Sequence, residues 1–351
     1  MLQDIKINET PVRTSRNFNI NNAKLKDIDI PENVGSFDNV NIIGEITKNA
    51  DTNYNLTYGL GDTLEKQLKE NENQNLKIVA EKGINKEVTI EFNFDEENLN
   101  LIENIDILAD EDTKSTIIIK YSSKKDIQAY HNGVIRVLAK KNSVLNIIVV
   151  NLLNEYSNNF ISFENSFEEN AKVNYTIVDF GGKNSITNYY SNLIGDNSEN
   201  IINCIYLGKE DQFFDLNYIG ELRGKKTNID IEIQGALKDS AKKHFKGTID
   251  FKRGAKKATG NENEFCTLLS DKAKSIALPM LLCSEEDVEG NHSSAAGKVG
   301  DKELFYIMSR GFDVKEAMKL IVRAKFNKIL ENIKDSNLKE KILNEVDNRL
   351  D

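Results

Sequence analysis

Cysteine is scarce in this 351-residue sequence, which contains only three: Cys204, Cys266 and Cys283. They lie far apart and form no Cys-x-x-Cys pair, which excludes a disulfide framework and a locally clamped metal site. A single chain with three thiols also cannot supply four thiolates to a metal cluster. Free cysteine is among the most buried residue types. The residues alone therefore predict structural thiols.

Long apolar runs are absent as well. No run approaches the eighteen residues of a membrane-spanning helix, and the N-terminus has neither a basic region nor the apolar stretch of a secretory signal. The 56 acidic and 46 basic residues give a net charge of −10, and the charges are dispersed. A negative balance disfavours nucleic acid or an anionic membrane as partner. We therefore expect a cytoplasmic protein with neither partner.

A phosphate-binding loop is the third absence. Four Gly-Lys pairs end at Lys183, Lys209, Lys225 and Lys298, and none is followed by the Ser or Thr that would hold magnesium. We expect no nucleotide to be bound by this chain. Any ATP-dependent step must then come from a partner.

The middle of the sequence consists of short runs rich in Ile, Val, Thr, Tyr and Phe, separated by Asn, Asp, Gly and Ser. No amphipathic helix interrupts them between about residues 75 and 283, and the chain has only three prolines. So long a β array favours a mainly β fold with a right-handed parallel β-helix, a solenoid, as its core. A large sandwich stays open, because no strict repeat is evident. The clearest predicted strands are 88–92, 115–121, 134–138, 145–152, 172–180, 201–207, 213–222, 228–233 and 244–251.

The two ends of the chain differ from this middle. Residues 1–74 are predicted to form a weakly structured N-terminal segment with short strands and one polar helix over 62–73. The β-helix core then covers 75–290, and a helical C-terminal domain covers 291–351. Its helices are predicted from Asp301 to a stop at Gly311, from Asp313 with a capping-box Glu316, and from near Ser336.

Residues 290–300 are rich in small and polar side chains, and they are predicted to form a flexible loop that carries His292. A neutral imidazole in such a loop is a candidate metal ligand or proton-transfer group. His131, which precedes an Asn-Gly turn signal, and His244 are predicted to lie at the surface. Glu285 and Asp287 offer an alternative, a β-helix carbohydrate-active enzyme with paired carboxylates. A solenoid with a purely structural role is the remaining alternative.

Three motifs then stand in a recognisable order: His244-Phe-Lys-Gly-Thr-Ile-Asp-Phe, Glu286-Asp-Val-Glu-Gly-Asn-His292, and Leu304-Phe-Tyr-Ile-Met-Ser-Arg-Gly311. This arrangement resembles the SufB/SufD family of iron–sulfur cluster assembly proteins, over about residues 235–333. The resemblance implies a right-handed parallel β-helix with a C-terminal helical domain that binds SufC, an ATPase of the ABC type. It also implies that two such subunits pair through their β-helices, and that a nascent cluster is built at their interface.

The resemblance further implies site residues. His292 matches the family's interface histidine, while Cys266 and Cys283 are the other cluster or interface candidates. Ser293 stands where SufB types place glutamate, and Gly290 where SufD types often have cysteine, so the chain looks more SufD-like. The partner-binding element implied in the helical domain comprises Phe305, Tyr306, Arg310, Met318 and Ile321.

These observations together predict a non-enzymatic scaffold subunit of an ATP-dependent SufBCD-type complex. We expect it to bind the SufC ATPase and to pair with SufB or with a second copy of itself. Its only expected cofactor is a transient iron–sulfur cluster shared with the partner subunit.

Overall fold

The computed structural model describes residues 2–14, 19–48, 58–83 and 85–351. The N-terminal part contains strands β1 (Leu2–Ile7) and β2 (Ala23–Asp29), which form an antiparallel pair, and the short strands β3 (Val40–Ile43) and β4 (Thr47–Lys48). One helix, α1 (Asp62–Asn71), follows where the sequence predicted it.

Sixteen strands, β5 to β20, then alternate between two facing sheets, and those of one sheet run parallel to one another. The short strands β3 and β4 join the sheets in the antiparallel direction. Sheet I has the order β3-β6-β8-β10-β12-β14-β16-β18-β20, and sheet II the order β4-β5-β7-β9-β11-β13-β15-β17-β19. Parallel pairing of alternate strands defines a β-solenoid and excludes the antiparallel sandwich. The strands are β5 (Gln74–Ala80), β6 (Glu87–Phe94), β7 (Asn100–Ala109), β8 (Lys114–Ser123), β9 (Tyr130–Ala139), β10 (Val144–Leu152), β11 (Asn158–Phe167), β12 (Lys172–Asp179), β13 (Asn184–Leu193), β14 (Glu199–Gly208), β15 (Phe213–Leu222), β16 (Asn228–Leu237), β17 (Lys242–Phe251), β18 (Ala258–Leu268), β19 (Lys274–Cys283) and β20 (Val288–Lys298).

The core lies between the two sheets. Alternate residues of each strand point inward, as the period of two requires. Residues in register on successive strands stack into columns, such as Ile117, Ile147 and Tyr175 in sheet I, all of which are fully buried. Sheet II has similar columns, in which the rings of Tyr189 and Tyr218 stack with their centroids 5.4 Å apart. The nine predicted strands of the middle region are confirmed.

A repeat that the sequence conceals is visible in the turns. On the edge that leads from sheet II to sheet I, one residue of each successive turn adopts a left-handed backbone, with φ between 55° and 60°. Asp and Asn tolerate this conformation better than other non-glycine residues. The intervals between these residues are 30, 28, 27, 29 and 31, which are too irregular to show as a strict repeat. The positions are Asp112, Asn142, Asn170, Asn197, Lys226 and Lys257.

The N-terminal segment is more ordered than predicted. Apolar residues of β1, β2 and α1 pack against the outer face of sheet II. A buried polar contact fixes the strand end, because Asn8 Nδ2 donates to Asp215 Oδ1 at 2.6 Å and Lys246 Nζ donates to the Asn8 carbonyl at 2.7 Å. The short strands and the single helix predicted for this segment are present, and they pack against the solenoid. Residues 15–18 and 49–57 lie outside the described part.

Three helices follow the solenoid: α2 (Asp301–Met308), α3 (Val314–Leu330) and α4 (Ser336–Leu350). Their predicted boundaries are confirmed, including the Asp313–Glu316 capping box and a left-handed Gly311 after α2. Helices α3 and α4 bury one face against the outside of sheet I. Arg349 secures α4 by donating to the Leu153 carbonyl at 3.1 Å. None of the described helices combines the length and hydropathy needed to cross a membrane.

Two local predictions were wrong. Residues 288–298 form strand β20 rather than a loop, so the β part runs past the predicted boundary at 290 and the helices begin at Asp301. Small side chains suffice there because, among the described residues, β20 has a neighbouring strand on one side only.

His131 is fully buried in β9, where Nδ1 lies 2.7 Å from Asn159 Oδ1 and Nε2 lies 3.2 Å from Glu103. The Asn-Gly pair that follows it continues the strand instead of forming a turn.

Candidate functional site

The two ends of the solenoid are different. At the first end, the antiparallel strands β3 and β4 flank the parallel sheets, and buried Phe37 packs against Phe94 with ring centroids 4.9 Å apart. At the other end, β19 pairs with β17 and β20 pairs with β18, and neither has a second partner strand in the described residues. An unpaired edge offers its main-chain donors and acceptors to another chain. We call this last pair of strands, β19 and β20, the open end.

His292 lies on the open end, and its side chain is exposed. Its register partner on the next strand inward is Glu262, so the two residues leave the sheet on the same face. Because β20 holds it by regular strand pairing, the imidazole stands at a fixed position at the rim of the solenoid.

A buried ion pair lies in the core next to β20. Lys243 Nζ donates to Glu264 Oε1 at 2.7 Å, and both side chains are 0% exposed. Tyr206 donates its hydroxyl proton to the same oxygen at 3.0 Å, and Ser294 of β20 donates to Glu264 Oε2 at 2.9 Å. Three donors thus satisfy the Glu264 carboxylate and attach the last strand to the core. Charge-assisted hydrogen bonds of this kind are stronger than neutral ones.

Glu262, by contrast, has no hydrogen-bond donor or cation paired with its carboxyl group among the described residues. Both of its carboxylate oxygens are buried and lack a hydrogen-bond partner among the described residues. Burial raises the pKa of Glu262 to about 8, and the nearby charge of Glu264 adds to the shift. Gly247 provides the space, because a Cβ there would lie 2.1 Å from Glu262 Oε2. Strand β18, next to the open end, therefore carries a buried carboxyl group without a partner, Glu262, beside the paired Glu264.

The cysteine candidates lie in different environments. Cys266 is 4% exposed, and burial raises its pKa while the charge of Lys243 opposes that shift. Cys283 is exposed on β19, where its thiol donates to the Glu285 carbonyl at 3.1 Å. Cys204 is buried in the core with its pKa raised to about 12, which suits a structural thiol.

These side chains do not form one ligand set. Cys266 is in register with Ala296, four residues along the strand from His292, which corresponds to a separation of roughly 13 Å. Cys283 belongs to the other sheet. In the described parts of the chain, no group of three or more His, Cys, Asp or Glu side chains is arranged to hold a metal ion. Of these candidates, His292 and Cys283 are exposed.

The alternative carboxylate pair lies in a turn. Glu285 and Asp287 are part of the connection between β19 and β20, and Glu285 Oε2 accepts a hydrogen bond from the Gly254 amide at 2.9 Å. That bond lowers the pKa of Glu285. Glu285 therefore stabilises the neighbouring turn.

Helix α2 presents a second exposed feature. Phe305 is 74% exposed and Tyr306 57% exposed, although both are aromatic. The Arg310 guanidinium lies over the Tyr306 ring, 4.7 Å from its centroid, and donates to the Tyr306 hydroxyl. Met318 of α3 is half-buried. Ile321 is 3% exposed, so its predicted place on a binding surface is wrong: its side chain packs within this chain.

Further apolar side chains enlarge this surface. The sequence did not indicate them as binding residues, but their side chains are between 37% and 44% exposed. We define the α2 surface as Phe305, Tyr306 and Arg310 together with four further exposed apolar residues. They are Met308, Phe312, Val314 and Leu320.

Sequence reasoning also missed the buried acidic residues of β18, next to the open end. Glu262 and Glu264 alternate with Asn261 and Asn263 along β18, which looks like an ordinary polar segment. Their register partners on β16 are the apolar Ile231 and Ile233. An alignment of successive strands would have shown two acidic residues at core positions.

His244, predicted at the surface, is partly buried, and its ring packs edge-on against Phe213 at 5.0 Å between centroids.

Comparison with known proteins places these features in a family. A family model described as SUF system FeS cluster assembly, SufBD core domain, matches residues 92–325, which include the open end and the α2 surface. The chain is 23% identical to iron–sulfur cluster assembly protein SufD of Bacillus subtilis over 252 residues, 71% of this chain and 58% of the relative. It is 32% identical to an iron–sulfur cluster assembly SufBD family protein of Pyrococcus horikoshii over 167 residues, 47% of this chain and 36% of the relative.

Iron–sulfur cluster assembly protein SufB of Bacillus subtilis is 22% identical over 248 residues, 70% of this chain and 53% of that protein. The chain thus spans about half the length of the SufD and SufB proteins that it matches. Since the matching model covers more than half of this chain, the chain belongs to the SufB/SufD family and is SufD-like.

Proposed function

We propose that this chain is a non-enzymatic scaffold subunit of an ATP-dependent SufBCD-type iron–sulfur cluster assembly complex. The observation that carries this is the open end of a SufBD core domain, where an exposed histidine stands on an unpaired edge strand. An edge of this kind is suited to strand pairing with a second subunit. SufB or another copy of this chain is the partner that family membership favours.

The cluster itself is cargo in this proposal. His292 supplies one ligand from this chain, and the partner subunit supplies most of the others, because the described side chains near His292 form no ligand group. Cys266 lies behind the last strand, and reaching its thiol requires movement of β20. Cys283 is exposed at the rim and needs no such movement.

The α2 surface is proposed to bind the SufC ATPase. A helix with exposed aromatics and an adjacent guanidinium fits an apolar groove with an acidic or carbonyl-rich margin. Because α3 and α4 are anchored on sheet I by a shared apolar cluster, they hold the α2 surface at a defined position on the solenoid.

We expect the double substitution Phe305→Asp/Tyr306→Asp to weaken SufC binding by at least about 100-fold, since truncated aromatic anchors cost on the order of 2 kcal/mol or more each. Isothermal titration of the purified chain with SufC measures this. The fold should be unaffected, because both side chains are exposed. Deletion of residues 301–351 is a poorer test, because it uncovers the apolar face of sheet I.

The matched control is Tyr156→Asp/Ile194→Asp, which introduces the same charges at an exposed aromatic and an exposed aliphatic residue in turns of the solenoid. It should bind SufC like the wild type. Equal affinity of the α2 variant and the wild type would contradict the assignment of this surface.

The role of His292 is tested with the reconstituted complex. We expect His292→Ala to leave the mass of the complex unchanged in size-exclusion chromatography with light scattering. Iron and acid-labile sulfide retained after assembly should fall to less than about half, because a missing ligand makes the site labile. His244→Ala is the control, since that side chain lies in another strand and packs on Phe213. Full cluster content in His292→Ala would remove His292 from the ligand set.

A further inference from the structure

Two successive turns on one edge of the solenoid carry only basic charged residues. The turn between β15 and β16 reads Arg-Gly-Lys-Lys-Thr (223–227), and the turn between β17 and β18 reads Lys-Arg-Gly-Ala-Lys-Lys (252–257). The two turns are stacked, because the Lys226 amide donates to the Lys256 carbonyl at 2.9 Å. We call these side chains the basic edge. They are Arg223, Lys225, Lys226, Lys252, Arg253, Lys256 and Lys257.

Most of this charge is not neutralised. Arg223 pairs with Glu221 at 2.6 Å, and Lys252 pairs with Asp250 at 2.5 Å. The other five side chains are exposed, and they make no hydrogen bond or ion pair with any residue the structure describes. Lys256 lies close enough to Glu285 of the following turn for its charge to help lower the pKa of that carboxyl group. The cations on the two adjacent turns repel one another. Their grouping contrasts with the net charge of −10 of the whole chain.

In earlier turns of the same edge, lysine side chains form ion pairs with acidic residues. Lys140 pairs with Asp110 and Lys141 with Glu169, both at 2.7 Å, so that acidic residues of neighbouring turns compensate them. The basic edge therefore departs from the pattern of the solenoid to which it belongs.

The backbone supports the same conclusion. Four earlier turns place Asp or Asn at the left-handed position, and the Asn side chains form a ladder: Asn170 Nδ2 donates to Asn142 Oδ1 at 2.9 Å, and Asn197 donates to Asn170 at 3.1 Å. The next two turns place Lys226 and Lys257 there instead, at φ of 55° and 60°. Lysine gains no local hydrogen bond in that conformation, unlike Asn. Folding alone therefore does not account for these lysines.

The geometry points to the basic edge as a binding surface for a short acidic segment of a partner protein. Neighbouring rungs are about 4.8 Å apart, so the surface is roughly 10 Å wide and accommodates two or three carboxylates. It is bounded by Asp196 in the preceding turn and by Glu285, Glu286 and Asp287 in the following turn. A nucleic acid backbone would continue across these acidic boundaries and be repelled there, whereas a short acidic peptide would end within them.

The test uses the full chain and a fluorescein-labelled hexaglutamate peptide as probe. Fluorescence anisotropy at about 50 mM salt should show binding that weakens as the salt is raised, because added ions screen exposed charges. The variant Lys225→Gln/Lys226→Asn/Lys256→Gln/Lys257→Asn should bind at least about tenfold more weakly. Its Tm should equal or exceed that of the wild type, since Asn is better suited to the two left-handed positions.

The control variant removes four exposed lysines from the N-terminal hairpin and α1: Lys24→Gln/Lys26→Gln/Lys66→Gln/Lys69→Gln. It changes the net charge equally and should bind the peptide like the wild type. Three results would each overturn the proposal: no binding by the wild type, equal loss in both variants, or equally tight binding of a fifteen-nucleotide oligothymidine. None of them bears on SufC or cluster binding, so the two proposals fail independently.

Discussion

Replacing Lys243 by methionine is expected to destabilise the folded protein by about 3–5 kcal/mol, because removal of one partner leaves a buried charge without compensation. The partner is Glu264, 2.7 Å away and fully buried. In Lys243→Met, the Glu264 carboxylate would keep only the neutral donors Tyr206 and Ser294. A second buried acidic residue, Glu262, lies on the same strand face.

Chemical denaturation at pH 7 measures this loss. The exposed neighbour Lys242 provides the matched control, since Lys242→Met should change stability by less than about 0.5 kcal/mol. Adding Glu264→Leu to Lys243→Met should restore much of the stability, because the uncompensated charge is then gone. If Lys243→Met lowered the free energy of unfolding by less than about 1 kcal/mol, water would have to reach the Glu264 carboxylate, and the pair would not be buried.

The second large effect concerns pH. Burial holds the proton on Glu262 up to a pKa of about 8, whereas the unfolded carboxyl group loses it near its ordinary pKa of about 4.3. Between these values the folded state binds more protons than the unfolded state, so the free energy of unfolding falls as the pH rises. Glu262→Gln should remove this dependence and stabilise the protein, relative to the wild type, by about 2–4 kcal/mol more at pH 8 than at pH 5.

The difference between wild type and variant isolates Glu262. Asp179, whose pKa burial raises to about 6, depends on pH in the same direction but is present in both proteins. Lys243, Glu264 and the register partner His292 are the charged or titratable groups nearest along the strands, and they too are retained. Glu286→Gln, at an exposed position in the turn, is the control. Parallel curves for Glu262→Gln and the wild type would contradict a buried, protonated carboxyl group.

Much of the fold could be predicted from local pattern. Alternating apolar residues specified the strands, because period-two alternation puts one side of each segment into a core. The helices of the C-terminal domain were predictable from their caps, such as the Asp313–Glu316 box, which act within a few residues of sequence. The motif order around His292 was enough to indicate the family.

Register was not predictable, and most of the site depends on it. A strand's position in a solenoid is decided by its pairing with strands about thirty residues away. The repeat length varies between 27 and 31 residues, as the spacing of the left-handed turn residues shows. His131 therefore looked like a turn residue, although strands on both sides enclose it in β9. The loop prediction for residues 290–300 failed for the same reason, because pairing with β18 alone makes residues 288–298 a strand.

The sequence by itself determined the strand-forming middle, the helical end and the family, since each depends on residues close together in the chain. Only the tertiary structure decided that His292 stands on an open edge above Glu262, that Lys243 neutralises Glu264, and that Ile321 is buried while Phe305 is exposed. These facts depend on which distant strands and helices pack together. Packing of that kind follows from the free energy of the whole chain and leaves no signature within a short segment.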